Sequence, residues 1–159
     1  MLSKDDFRTT SIFSDLSDEM IEKLIPLGKR INVEARDYVF REGDRVENIF
    51  IIKRGTVLTE QRLSDKITVT AGTATAGECF GYSSMFQEGT YSTNAVAADP
   101  CELIVINGEA MMDVLRKDHT MGFLVLQKII AVFAHRLNRR TEQFLKAVMS
   151  HPEIHELGT

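Results

Sequence analysis

Two glycines four residues apart open the stretch of this chain best equipped to hold a ligand. Gly77 and Gly81 lie in GECFGYSSM, where Glu78 and Phe80 come between them and Tyr82, Ser83, Ser84 and Met85 follow. A turn at Glu88-Gly89 comes next, then the hydroxyls of Tyr91, Ser92 and Thr93 at the head of a β-prone run to Val96. This reads as strand end, glycine turn, one short helix, turn, strand. Glycines let a ligand come close to the backbone, and the N–H groups that start a short helix favour an anion. The same pattern also suits a tight turn closed by a capping serine, and spacing alone leaves both readings open.

Charge limits what such a cradle could hold. From Ile67 to Leu115 there is no Lys, Arg or His, while Glu78, Glu88, Asp99, Glu102, Glu109 and Asp113 all fall there. A buried phosphate would find only N–H dipoles and hydroxyls in this segment. Losing one partner of a desolvated charge pair costs about 2–5 kcal/mol. At about 1.4 kcal/mol per tenfold, that is a tens- to thousands-fold loss of affinity. A cation from outside the segment would change this, and Arg136 or Arg139 are the candidates. They share a polar face with Asn138, Arg140 and Lys146, and such a charge run is usually the solvated side of a helix. A net charge of −4 argues against a broad nucleic-acid surface.

Other chemistries lack their residues. The first histidine is His119, so the strands offer no metal-binding histidine cluster and no Ser-His-Asp or Cys-His arrangement. Glu42 and Glu78 form a carboxylate pair without base, metal or nucleophile, which reads as structural. His151 and His155 stand four apart beside Glu153 and Glu156, but Pro152 and the terminal position read as a tail. Cys79 and Cys101 are the two cysteines, expected as buried reduced thiols in a cytoplasmic protein. MLSKDDFRTT has no apolar leader region, and no apolar run of membrane-spanning length is expected. The expectation is a regulatory chain: no enzyme, no metal, no membrane.

The elements that would position the glycine turn follow from periodicity. The chain has 159 residues, 43% of them hydrophobic and 26% charged, enough for a globular core. Ile12 to Leu27 reads as a helix with Ser17 as N-cap, stopped by Pro26 and Gly28. From Lys29 to Ile106 the period is two, in about eight short runs parted by turn residues, which predicts a jelly-roll sandwich or barrel. Gly43 and Gly55 are expected at positive φ in turns. Helical spacing returns at Glu109–Lys117 and again from about His119 to Met149. In the last helix Leu126, Ile130, Phe133, Leu137, Phe144 and Ala147 step by fours and threes with Arg140 in the seam, about three heptads, and Ile129 and Val132 widen the stripe.

GECFGYSSMFQEGTYSTNAV resembles the phosphate-binding cassette of the cyclic-nucleotide-binding domain family, the ligand domain of catabolite-activator-type and Fnr-like sensors. Gly77, Phe80, Gly81 and Met85 fit its pattern, with Glu78 in an Asp place. FREGDRVENIFIIKRGTV resembles the family at Phe40, Gly43, Asp44, Ile52, Gly55 and Val57, and FSDLSDEMIEKL is similar to its opening helix. The resemblance covers about residues 12 to 147. It implies a mainly β chain, a double-stranded β-helix (jelly roll) with flanking helices, forming one domain. The parts would be 1–28 helical, 29–107 β-roll with the cassette at 77–96, 108–149 C-terminal helices and 150–159 tail. Two positions depart from the family: the Glu that takes the ribose hydroxyl is Tyr82, and the Arg that pairs with the cyclic phosphate falls on Ser92, or on Tyr91 with one loop residue shifted.

The resemblance therefore implies a stand-alone sensor module of bacterial type that does not hold cyclic AMP or GMP in the usual way. Its pocket would be empty or take another small molecule through Gly81–Ser84, Ser92 and Thr93. A true cyclic-nucleotide binder with unusual contacts and a ligand-free dimerisation module are the alternatives. In the family the last helix pairs with its twin, so a homodimer is implied, with a partner protein receiving the signal. The ten residues after Met149 are too few for a helix-turn-helix, so no DNA-binding domain is expected in this chain.

Overall fold

The computed structural model describes residues 1–151. Pro152 onward, including His155, Glu153 and Glu156 of the histidine tail, lies outside the described residues. Contacts divide the chain into two units, Met1–Val125 and Leu126–Thr159.

The first unit opens with short helices. These are α1 (Lys4–Arg8), a 3-10 turn Ser11–Phe13, α2 (Asp18–Glu22) and a second 3-10 turn Ile25–Leu27. The single helix expected over Ile12–Leu27 is thus three pieces. Ser17 is extended, with ψ 163°, and its side chain accepts the Met20 N–H; it caps α2 as foreseen and so cannot lie inside a longer helix. Asp6 ties α1 down. Its carboxylate accepts the Ser3 N–H at 2.8 Å and pairs with Arg30 at 2.9 Å. Lys53 Nζ donates to the Asp6 carbonyl at 2.7 Å and to Thr9 Oγ1 at 2.8 Å.

Eight strands follow: β1 (Gly28–Val33), β2 (Tyr38–Phe40), β3 (Asn48–Arg54), β4 (Thr56–Ser64), β5 (Ile67–Thr75), β6 (Cys79–Phe80), β7 (Asn94–Ala97) and β8 (Cys101–Asn107). They form two four-stranded sheets, ordered β1-β8-β3-β6 and β2-β7-β4-β5, with every pairing antiparallel. This is the expected jelly roll. Alternation along the strands puts Phe50, Ile52, Phe80 and Leu103 of one sheet into a core with Val57, Ala74, Ala95 and Ala97 of the other. The intervening residues Ile49, Ile51, Ile104 and Ile106 are buried as well, so β3 and β8 are covered on both faces. Gly28 shows what covers them: a Cβ there would stand 3.0 Å from Ile104 and 3.3 Å from Phe7 of α1.

Helix α3 (Gly108–Lys117) is capped by Asn107, whose side chain accepts the Ala110 N–H at 3.0 Å. Asp118 then starts α4 (His119–Met149). One of its oxygens accepts the Met121 N–H at 3.0 Å and the other pairs with Lys23 at 2.6 Å. The Lys23 hydrogen bond, with that N–H, holds its carboxyl below the usual range.

The 31-residue α4 carries two distinct apolar faces. Met121, Val125 and Ile129, four apart, are buried. Phe123, Ile130, Leu137 and Phe144, seven apart, are 66, 65, 66 and 66% exposed, a straight row of uncovered apolar side chains. Ile129 therefore does not widen the exposed stripe; one residue further round, it belongs to the buried face. The helix also corrects an expectation about length. An 18-residue window of it reaches mean hydropathy 1.3, long and apolar enough to cross a membrane on composition alone, because long apolar runs on either side of Gln127-Lys128 outweigh that pair in an average.

Candidate functional site

The cassette turn is built from backbone geometry. Gly77 and Gly81 both take positive φ, 87° and 79°. At Gly81 the requirement is double, since a Cβ would stand 2.6 Å from the Asn48 carbonyl oxygen, leaving room for no side chain. A 3-10 turn Tyr82–Met85 follows, the short helix expected there. Ser84 Oγ donates to the Gly81 carbonyl at 2.8 Å, and the Ser84 N–H donates to the same oxygen at 3.2 Å. Ser84 thus closes the turn. The Glu78 carboxylate accepts the Thr75 N–H at 2.7 Å and the Thr75 hydroxyl at 3.2 Å, bracing the turn. The Gly77 carbonyl accepts the Ser11 N–H at 2.9 Å, joining the N-terminal segment to the cassette.

The cassette buries aromatic rings and carries no basic side chain of its own. Tyr82 is buried, and so are Phe80 and Met85. Tyr91 is buried too, its ring stacked on Phe40 with centroids 3.6 Å apart and planes 7° from parallel. Phe40 in turn touches Phe50 and Phe80, which stack at 5.0 Å. The Tyr91 hydroxyl donates to the Asn48 carbonyl at 3.2 Å. Burial pushes the Tyr91 phenol pKa up, and the nearby Glu47 and Asp44 carboxylates add to this. Backbone bonds hold this residue in place, Gly43 N–H to the Tyr91 carbonyl and Tyr91 N–H to the Asp44 carbonyl, both 2.8 Å. Ser92 is exposed and Thr93 half-buried. Asn94 Oδ1 accepts the Glu42 N–H at 2.8 Å.

Helix α3 sits directly on the cassette. A Cβ at Gly108 would lie 2.3 Å from the Ser84 carbonyl oxygen, so glycine is what permits the approach. Beside this contact a surface cavity of about 450 Å³ is bounded by the cassette residues Ser84–Gly89, by Arg45 and Glu47, and by Asn107, Glu109 and Arg116. Sequence reasoning missed Arg45 and Arg116. Arg116 directly follows the segment that lacks Lys, Arg and His, Arg45 lies well before it, and only the fold brings them to the cassette. Their guanidiniums are mostly exposed and lean on Glu47 at 3.6 Å and Asp113 at 3.1 Å. Arg136 and Arg139 are exposed residues of the second unit. Among the described residues no cluster of His, Cys, Asp and Glu could hold a metal ion. Cys79 and Cys101 are buried free thiols, as expected, and burial pushes the Cys101 thiol pKa up.

A glycine turn and a 3-10 helix thus lie between β6 and β7 of the jelly roll, and α3 rests on that turn. The chain belongs to the cyclic nucleotide-binding domain family, whose sequence model matches residues 30–118. A cyclic nucleotide-binding domain from Methylobacillus flagellatus is similar in fold, with TM-score 0.78, 20% identity, and 93% of this chain and 83% of that one covered. The catabolite activator protein of Thermus thermophilus gives TM-score 0.72 at 24% identity over 87% of this chain and 63% of its own. Among curated relatives, human cGMP-dependent protein kinase 2 is 26% identical over 139 residues, 86% of this chain. The chain spans under a fifth of the length of the curated relatives it matches, 16% and 18%.

Proposed function

We propose that this chain is a regulatory module of the cyclic nucleotide-binding fold whose cassette does not take cyclic AMP or GMP in the usual way. It works in the cytoplasm as a homodimer through α4 and signals to a partner protein without catalysing a reaction. One observation carries the reading. Where the family resemblance puts a ribose-binding Glu and a phosphate-binding Arg, this chain has buried Tyr82 and uncharged Ser92, with Tyr91 stacked on Phe40 beside Asp44 and Glu47. A desolvated anion beside Tyr91 faces two carboxylates, and the guanidiniums nearby, Arg45 and Arg116, are mostly exposed and already lean on Glu47 and Asp113. The contact of Gly108 with Ser84 supports a route by which a change in the cassette reaches α3. The exposed row Phe123, Ile130, Leu137, Phe144 supports pairing with a twin helix.

Calorimetric titration with cyclic AMP and cyclic GMP tests the proposal, on the natural chain and on a Tyr82→Glu/Ser92→Arg variant. The expected result is no binding by the natural chain below millimolar concentration and a gain in the variant. Micromolar binding by the natural chain would refute it. A second reading has one observation in its favour, the cavity holding Arg45 and Arg116: a small anionic ligand other than a cyclic nucleotide would sit between these arginines and Ser84–Gly89, and Arg45→Ala would abolish its binding.

A further inference from the structure

We propose that a parallel pair of α4 helices forms a binding site for a phosphate-type oxyanion at Arg140, a site that neither copy holds alone. The inference rests on the homodimer reading above. Phe123, Ile130, Leu137 and Phe144 fill one position of the seven-residue repeat, and Leu126, Phe133, Arg140 and Ala147 fill the other. In a parallel, in-register coil each of these residues meets its own twin across the seam. Every layer of that seam is apolar except the layer of Arg140, where two guanidiniums converge.

Nothing on the same helix neutralises them. The residues that neighbour Arg140 at spacings of three and four are Arg136, Leu137, Gln143 and Phe144. Glu142 is the sole acid of α4; at a spacing of two it points to the opposite side of the helix. Arg136, one turn earlier, adds a further positive charge from each copy. Arginine keeps its charge at any pH a folded protein meets, so the repulsion cannot be relieved by losing a proton. An oxyanion relieves it instead, since the forked donors of guanidinium match tetrahedral oxygens in pairs. The flanking Leu137 and Phe144 layers exclude water on either side and strengthen the pairing.

Sedimentation equilibrium of the full chain tests this in chloride and in inorganic phosphate at equal ionic strength, so that general screening is the same in both arms. Phosphate is expected to tighten dimerisation of the natural chain by about tenfold or more, about 1.4 kcal/mol. Arg140→Leu is expected to dimerise tightly in chloride and to ignore phosphate; its site is exposed, and circular dichroism confirms that it folds. A nucleoside monophosphate arm separates a free anion from a phosphate carried by a larger molecule. Tightening by inorganic phosphate or by the nucleotide supports the site. Equal dimerisation of the natural chain in all arms overturns it and leaves the dimer standing. Failure of both chains to dimerise overturns the dimer and the site together. Leu137→Cys checks orientation: a dimer that does not cross-link through this residue is not parallel, and the site falls.

Discussion

Gly108→Ala sets two forces against each other, and the structure decides the sign. Gly108 is the first residue of α3, and alanine is the better helix former by up to about 1 kcal/mol. Propensity alone therefore predicts a more stable protein. The added Cβ, however, would stand 2.3 Å from the Ser84 carbonyl oxygen and 2.5 Å from both its carbonyl carbon and its hydroxyl. These distances fall short of an optimal separation of about 3.5 Å by about 1 Å. The obstacle is backbone, which cannot rotate aside as a side chain could, so helix and cassette must part. The Gly108 N–H bond to the Glu47 carbonyl, 2.9 Å, is strained with them. Overpacking of this kind costs about 1–3 kcal/mol, which lowers Tm by about 2–12 °C in a chain of this size. Calorimetry reads the first quantity, and amide hydrogen exchange at Ser84–Gln87 reads the second, faster opening of the cassette turn. Gly43→Ala is the control: φ is +89° with nothing within 4 Å of the new carbon. It should cost about 1–2 kcal/mol of left-handed strain and leave exchange in the cassette unchanged. A Tm for Gly108→Ala at or above that of the natural chain, with unchanged exchange, would refute the coupling of α3 to the cassette.

Tyr91→Phe keeps the ring on Phe40 and removes the hydroxyl bond to Asn48. Urea unfolding should show a loss of about 1 kcal/mol, and a loss above about 3 kcal/mol would mean that the hydroxyl has a larger role than one backbone bond. Asp6→Asn tests the anchor of α1 through pH. Burial opposes the Asp6 carboxylate, but the Ser3 N–H and hydroxyl and the Arg30 guanidinium outweigh it and set its pKa below the ordinary 3.8. The stability it contributes is complete above that ordinary value and is lost as pH falls through the lower folded value. The natural chain should therefore exceed Asp6→Asn in stability at neutral pH, with the gap closing in acid. A gap that stays constant down to the acid transition would show that charge is not the cause.

Periodicity made the roll legible, because alternating apolar residues state which face of a strand is inward whatever it pairs with. The glycine turn was legible for a related reason, since positive φ at Gly77 and Gly81 is a local demand. Glu78 was not. Its partner is Thr75, three residues back, and the same carboxylate could as well have faced a ligand. The Tyr91–Phe40 stack was also hidden, because it joins residues far apart in sequence that only the β2–β7 pairing brings together. Helix α1 carried a signal that went unread: Ser3 followed by Asp6 and Phe7 is the serine–acid spacing of a helix start. The two faces of α4 could not be separated by spacing, for Ile129 and Ile130 are adjacent in sequence yet one is buried and the other bare.

The buried tyrosines give the cassette an optical signature of its own. The chain has no tryptophan and three tyrosines. Two of these, Tyr82 and Tyr91, are buried in the cassette, and the third, Tyr38, lies under the Arg41 guanidinium at 3.8 Å. Two of the three ultraviolet chromophores of this type therefore lie in the segment whose opening is in question. A ligand, a partner or a mutation that separates Tyr91 from Phe40 would register as a change in tyrosine emission, with no dye attached and no residue replaced.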